Sequence, residues 1–481
     1  MLQERIRKLC ALDYESRIMI TDREDFCAEI FDYERHLTSC GYMVIRSKDT
    51  EWLRFIYETQ IKNESTKVAI LITDDQYIPY DIRKAFFQVE ISLATVFPRL
   101  NSSVLRTHSL DIDVIEFSYD EYFGRHQNAS DTEVFIEEKA FSKDSIQRYL
   151  RYAEAFLDME VKNASTWEDW VQIAKQSAAL SYHAAVNGLQ RNDEELNQTF
   201  CEFLLDGYQK LSSVTSKKAP SILPKTWDLI AKNKAALIVM DGMSLFDFEV
   251  FRRSLWPFHY EYEGSFALIP TITSISRQAL IAGKYPSQLD NPFSLSKEES
   301  GFYKAAEEHG YPRGKSFYGR GYDADPGPFA RLVTIIINDI DDMVHGQLQG
   351  RQGMLQDVRL LSQSEKLQGL IRRLMKQGFD VYITADHGNT ECIGAGALKR
   401  TGVETETKSK RMIVLKDFAE ISESLKQRAT EFPGYYLDKS YHYFICKEKT
   451  SFDADGKQVM THGGMTIDEV IVPFIHITGE N

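Results

Sequence analysis

No run of this 481-residue chain approaches the ~18 consecutive apolar residues of a membrane span. The opening segment Met1–Cys10 has no long apolar core, so no secretory signal is expected. Cysteine is sparse: Cys10, Cys27, Cys40, Cys201, Cys392 and Cys446 are scattered with no CxxC pair. A structural zinc site and a disulfide framework are therefore not expected, and a reducing cytoplasm fits best. Positive charge is also short. With 57 Lys and Arg against 71 Asp and Glu, the net charge is −14, which excludes a generic polyanion binder. If the chain handles phosphates, the positive charge must be local: a metal or a small basic patch. Internal repeats and low-complexity segments are absent.

Three zones are predicted. Residues 1–115 read as a small α/β domain, with strands at Arg17–Ile20, Tyr42–Arg46 and Lys67–Thr73. Asp74 and Asp75 follow the third run and read as a loop carboxylate pair. Residues 116–228 read as a helical domain. Ser165-Thr-Trp-Glu168 resembles a capping box, opening a helix whose Trp167, Trp170, Val171, Ala174 and Ala178 share a core-facing side. Ser212–Lys225, with Ser, Lys and two prolines, reads as a linker. Residues 229–481 alternate strand and helix. Their near-continuous apolar runs at Ala235–Met240, Leu332–Ile337, Val381–Thr384 and Met412–Leu415 suit parallel strands covered on both faces.

Three of these runs lead at once into acidic or histidine motifs. The first is followed by Asp241-Gly-Met. The second reaches Asp339-Ile-Asp341 and His345. The third leads into Asp386-His387-Gly-Asn389. Sites in open α/β sheets form outside the carboxyl ends of strands, so these motifs can converge. Asp and His together without Cys suit zinc or manganese. Asp341 and His345 are four residues apart, one helical turn, on one face. Thr461-His462-Gly463-Gly464 precedes a further apolar run, Glu469–Ile475. Finally, Pro270-Thr-Ile-Thr273-Ser-Ile-Ser276-Arg277 is a hydroxyl-rich turn opening a helix, where the dipole and free amides favour phosphate.

In this order, Asp-Gly, Pro-Thr-x-Thr-Ser-x-Ser-Arg, Asp-x-x-x-His, Ala-Asp-His-Gly-Asn and Thr-His-Gly-Gly resemble the alkaline phosphatase superfamily. More closely, Val-Met-Asp241-Gly-Met-Ser, Pro270–Arg277 and Thr461–Pro473 resemble the PglZ family of bacterial phage-defence (BREX) loci. The resemblance covers about 229–481. It implies an alkaline-phosphatase-like, mostly parallel sheet flanked by helices, preceded by the small α/β domain and the helical domain. It also implies two divalent metals, zinc foremost and manganese as the alternative. Asp341, His345 and His462 would hold one, and Asp241, Thr273, Asp386 and His387 the other. The nucleophile position, three residues before Ser276-Arg277, is Thr273, with Thr271 as a competing candidate. Arg277 or Asn389 would steady a phosphate oxygen. Threonine cannot become the formylglycine of sulfatases, so phosphoryl chemistry is favoured.

The expected activity is a two-metal phosphodiesterase acting on nucleotides or nucleic acid in antiphage defence, in the cytoplasm and away from membranes. Other defence proteins are expected as partners. The alternative is a scaffold subunit of a defence complex, with little or no catalysis. A basic stretch, Lys399, Arg400, Lys408, Lys410 and Arg411, diluted by Glu404 and Glu406, reads as a hairpin near the site mouth, either a solvated charged turn or a contact for phosphate backbones.

Overall fold

The computed structural model describes residues 2–23, 33–63, 65–119, 126–232, 234–398, 404–405, 409–416 and 421–480. Contacts divide the chain into two compact units, Met1–Tyr149 and Leu150–Asn481. The division falls inside the helix Lys143–Asn163, within the zone expected to be helical. Among the described residues, no helix is long and apolar enough to cross a membrane, and the five cysteines are unpaired.

The first unit holds four parallel strands, β1 Arg17–Thr21, β2 Met43–Arg46, β3 Val68–Ile72 and β4 Phe87–Glu90, in the order β2-β3-β1-β4. Side chains alternate across the sheet, so each strand feeds two cores. Ile18, Ile20, Ala69 and Leu71 pack on one face, and Met19, Val68, Ile70 and Ile72 on the other. Strands β1 to β3 are the three predicted. Strand β4 was not anticipated, because at the sheet edge only Val89 of Phe-Gln-Val-Glu is buried and no apolar run results. Asp75 meets Arg23 at 3.3 Å in an exposed pair.

The second unit contains β5 Ala235–Met240, β6 Phe258–Phe266, β7 Ser316–Arg320, β8 Leu332–Ile337, β9 Asp380–Thr384, β10 Thr390–Gly394, β11 Glu404–Thr405, β12 Met412–Lys416, β13 Ala429–Phe432, β14 Tyr441–Cys446, β15 Thr450–Ser451, β16 Gln458–Thr461 and β17 Ile471–Glu480. Its main sheet runs β6-β17-β9-β5-β8-β7. The strands β9, β5, β8 and β7 are mutually parallel, while β17 is antiparallel to both β9 and β6. The result is the mostly parallel, helix-flanked α/β sheet that the sequence predicts.

This order gathers the motifs at one edge. Strands β9, β5 and β8 are neighbours, so the residues after Thr384, Met240 and Ile337 emerge side by side. Because β17 runs the other way, the segment entering it, which carries His462, starts from that same edge. Strand β6 pairs with β17 at Phe266↔Ile471, so the turn leading to Thr273 leaves there too.

Three expectations need correction. The run Met412–Leu415 forms β12, which lies in a separate antiparallel sheet, β11-β12-β14-β13. Its apolar continuity reflects burial, and burial does not fix strand direction. The capping box of the helix Trp167–Val186 is shifted by one residue: Thr166 is the N-cap and Asp169 reciprocates. Ser212–Lys225 is no solvated linker, since Ala219, Ser221, Ile222 and Leu223 are buried. The tryptophan stripe is core: Trp170 is buried with its ring 5.1 Å from that of Phe200.

Candidate metal centre

Asp241 and Asp386 follow neighbouring strands in register, because Val239 pairs with Thr384. Both are buried. Asp386 Oδ1 accepts from the amides of Gly242 at 3.2 Å and His387 at 3.1 Å, leaving Oδ2 free. Asp341 and His345 lie on the helix Asp339–Gly346. His345 Nε2 stands 3.3 Å from Asp341 Oδ2, as one helical turn requires.

The two buried imidazoles are oriented from behind. His387 Nδ1 faces the Gly388 carbonyl at 3.0 Å, and His462 Nδ1 faces the Thr271 carbonyl at 3.0 Å. A carbonyl only accepts, so each Nδ1 carries the proton and each Nε2 presents a lone pair. The rings stack with centroids 4.2 Å apart. His387 Nε2 lies 3.8 Å from Asp241 and 3.7 Å from Asp386, and His462 Nε2 lies 3.5 Å from Asp341. Ligand atoms within 4.8 Å of one another form two groups that share His387: Asp241, Asp386 and His387, and Asp341, His387 and His462. His345 is more exposed and stands beside Asp341 rather than inside either group.

Buried polar atoms are normally hydrogen-bonded. Here Asp241 Oδ1, Asp341 Oδ1, Asp386 Oδ2 and His462 Nε2 are buried with no hydrogen-bond partner. Of the three carboxylates, Asp241 pairs with a guanidinium, that of Arg277, which is itself shared with Glu298. Burial pushes the Asp241 carboxyl up to about 8, with Asp386 adding to the rise and Arg277 opposing it. Burial likewise raises Asp386 to about 6. Burial acts to raise Asp341 as well, but the His345 hydrogen bond and the His462 and His387 rings hold it below the usual carboxylate range. Burial lowers His462 to about 4, so its imidazole is neutral at pH 7, the form that binds metals. Orphaned oxygen and nitrogen atoms with surplus negative charge fit divalent cations.

The two threonines of the turn differ. Thr271 is buried, its hydroxyl donating to the Gly464 carbonyl at 2.9 Å and accepting from the Gly463 amide at 3.1 Å. Thr273 opens the helix Thr273–Ala282, and its hydroxyl donates to His387 Nε2 at 3.0 Å. No side chain caps that helix start, leaving its first amides for the site. Arg277 and Asn389 are both committed behind the site. Arg277 is buried between Asp241 and Glu298, at 2.8 Å from the latter. The Asn389 amide donates to the Gly242 carbonyl at 2.8 Å and to Asp247 at 2.6 Å.

The expected basic hairpin takes a different form where it is described. Arg411 is fully buried against Glu469, so it is no surface contact, whereas Lys410 is exposed. Lys399, Arg400 and Lys408 lie outside the described residues. Sequence reasoning missed Glu298, Asp247 and Glu469, which hold the site from behind. Glu469 was read only as the start of an apolar run.

Comparison with known proteins bears on the same residues. Residues 324–477 match the PglZ family, described as the BREX system PglZ alkaline phosphatase-like domain. That PglZ span takes in Asp341, His345, Asp386, His387, Asn389 and His462, while Asp241, Thr273 and Arg277 precede it. Among solved structures, murine ectonucleotide pyrophosphatase/phosphodiesterase 5 is similar at 12% identity and a TM-score of 0.36, covering 50% of this chain and 87% of its own. The human protein is similar at 15% identity and a TM-score of 0.35, with 50% and 87% covered. Phosphonoacetate hydrolase from Sinorhizobium meliloti 1021, in complex with phosphonoformate, is similar at 11% identity and a TM-score of 0.33, covering 50% and 89%. No curated protein matches the chain.

Proposed function

We propose that this chain is a phosphodiesterase dependent on two divalent metal ions, zinc or manganese, with Thr273 as its nucleophile. The observation that carries this reading is the Thr273 hydroxyl, at an uncapped helix start and 3.0 Å from His387 Nε2, beside a cluster of orphaned carboxylate and imidazole atoms. Asp241, Asp386, His387 and Thr273 would hold one ion, and Asp341 and His462, with His345 at the rim, the other. When bound, such ions supply Lewis acidity and neutralise charge on attacking and leaving oxygens.

The chain's own groups do the rest. The open amides at the start of Thr273–Ala282 favour a phosphoryl oxygen. Thr273 releases its hydroxyl proton to solvent and its Oγ1 attacks phosphorus in line; the new bond forms as the bond to the leaving oxygen breaks, and that oxygen takes a proton from solvent. Water then cleaves the phosphothreonine and restores the hydroxyl. Arg277 and Asn389 act by fixing Asp241 and the Gly242 turn. No side chain of the described cluster offers the extra positive charge that suits a dianionic monoester, which favours diesters.

The BREX description of the match over 324–477 supports reading this activity as part of phage defence; nucleotides or nucleic acid as substrate, other defence proteins as partners and a cytoplasmic setting belong to the same proposal. The test is hydrolysis of bis-p-nitrophenyl phosphate by metal-loaded protein. A tenfold preference for p-nitrophenyl phosphate would overturn the diesterase reading.

A further inference from the structure

The carboxylate of Glu469 is buried at the centre of the loop that carries His462. It accepts from the Gly464 amide at 2.8 Å, the Thr466 amide at 3.1 Å and the Thr466 hydroxyl at 2.7 Å. Its backbone carbonyl accepts from the Gly388 amide at 2.9 Å, next to His387. One residue thus ties both histidine motifs together.

Arg411 completes this arrangement. Its guanidinium forks onto Glu469, Nε at 3.1 Å and a terminal nitrogen at 3.0 Å, with both side chains about 1% exposed or less. The other terminal nitrogen donates to the carbonyls of Glu448 at 3.0 Å and Thr450 at 2.5 Å, and meets Cys392 Sγ at 3.0 Å. Two residues earlier, Ser409 Oγ donates to the His462 carbonyl at 2.7 Å and accepts from the Arg411 amide at 3.0 Å. A buried pair of opposite charges is weak evidence for stability, and fixing one conformation is its better-attested use.

The two glycines of Thr461-His-Gly-Gly464 follow from this packing. A Cβ on Gly464 would run into the Arg411 guanidinium and the Glu469 carboxylate. A Cβ on Gly463, whose φ is +110°, would meet the Ser409 hydroxyl. The motif is thus built to let the ion pair pass at its backbone.

We propose that Arg411 and Glu469 are positioning residues for His462, holding its loop so that Nε2 faces Asp341. This rests on the metal-centre reading above. The pair touches no ligand atom of the cluster, and it acts through the loop backbone.

The test uses the full chain with Arg411→Lys, which keeps the charge but cannot fork, and Glu469→Gln. In metal-free protein, hydrogen exchange at the Gly464 and Thr466 amides should rise at least tenfold. In zinc competition with a chelator, one of two equivalents should weaken at least tenfold while the other holds. A merely structural role would weaken both or neither. Combining Arg411→Lys with His462→Ala should add no further loss beyond His462→Ala alone. Wild-type exchange with wild-type affinity for both equivalents, or additive losses in the double variant, would overturn the proposal. If Arg411→Lys fails to fold, Ser409→Ala is read in the same way, with at least threefold weakening expected; unchanged zinc affinity there overturns it. A wild-type chain that takes up no zinc would instead overturn the metal-centre reading, and this inference with it.

Discussion

The Thr273 hydroxyl donates to His387 Nε2 at 3.0 Å, which sets the proposed nucleophile directly against a proposed ligand nitrogen. Two residues earlier, the Thr271 hydroxyl is closed off against Gly463 and Gly464. Thr273→Ala should therefore lower kcat/KM on a phosphodiester by at least about 10³-fold. The thermal midpoint should stay within about 2 °C, because Thr273 is only half-buried and the bond it loses, to His387, lies at the site where a bound ion would take over that nitrogen. Thr271→Val should do the reverse. It should cost about 1–3 kcal/mol in urea unfolding, because the Gly463 amide loses its buried acceptor. If Thr273→Ala keeps wild-type turnover and Thr271→Val loses it, the roles are exchanged.

Metal content offers a second test. Elemental analysis after reconstitution should find close to two equivalents of zinc or manganese. Chelation should abolish hydrolysis and lower the thermal midpoint, since the cluster then keeps its unpaired carboxylates. At free metal about 100-fold above Kd, each bound ion should restore roughly 2.7 kcal/mol. Uptake below half an equivalent would sink the two-metal reading.

The sheet edge was legible in the sequence because strands covered on both faces leave uninterrupted apolar runs, and Asp241, Asp339 and Asp386 stand out where those runs stop. Neighbour order was not legible: nothing in the runs says that β9, β5 and β8 adjoin or that β17 reverses. The choice between Thr271 and Thr273 was also hidden, since side-chain direction in a non-helical turn has no period. Arg411 was misread for a related reason. A charge run suggests a solvated face, but just before β12 the residue after Lys410 points inward, where Glu469 neutralises it.

Arg277 supplies a third prediction. Its guanidinium is buried between Asp241 and Glu298, so Arg277→Ala leaves Asp241 without its cation and Glu298 with Arg320 alone. Breaking such a pair typically costs about 3–5 kcal/mol, and urea unfolding of metal-free protein should show a loss of that size. A direct phosphate contact would instead raise KM and leave stability near wild type. Glu298→Gln should destabilise in the same direction, because Tyr318 and Arg320 also converge on that carboxylate.

Substrate preference gives the last prediction. Arg277, the buried cation beside the cluster, is committed to Asp241 and Glu298, so it is not placed to meet the second charge of a monoester. Metal-loaded protein should therefore favour bis-p-nitrophenyl phosphate and short oligonucleotides over p-nitrophenyl phosphate. With a net charge of −14, contact with a longer polyanion must be local. Lys410 is exposed between buried Arg411 and Ser409, whose hydroxyl touches the His462 loop. Lys410→Glu combined with Lys408→Glu should slow oligonucleotide cleavage several-fold and spare the small diester. Arg411→Glu should instead destabilise the chain, because it buries two like charges. Oligonucleotide turnover should also fall as salt rises from about 50 to 200 mM, because phosphate contacts release counterions. Salt-independent turnover, or equal loss on both substrates in the lysine variant, would remove the basic contact from this site.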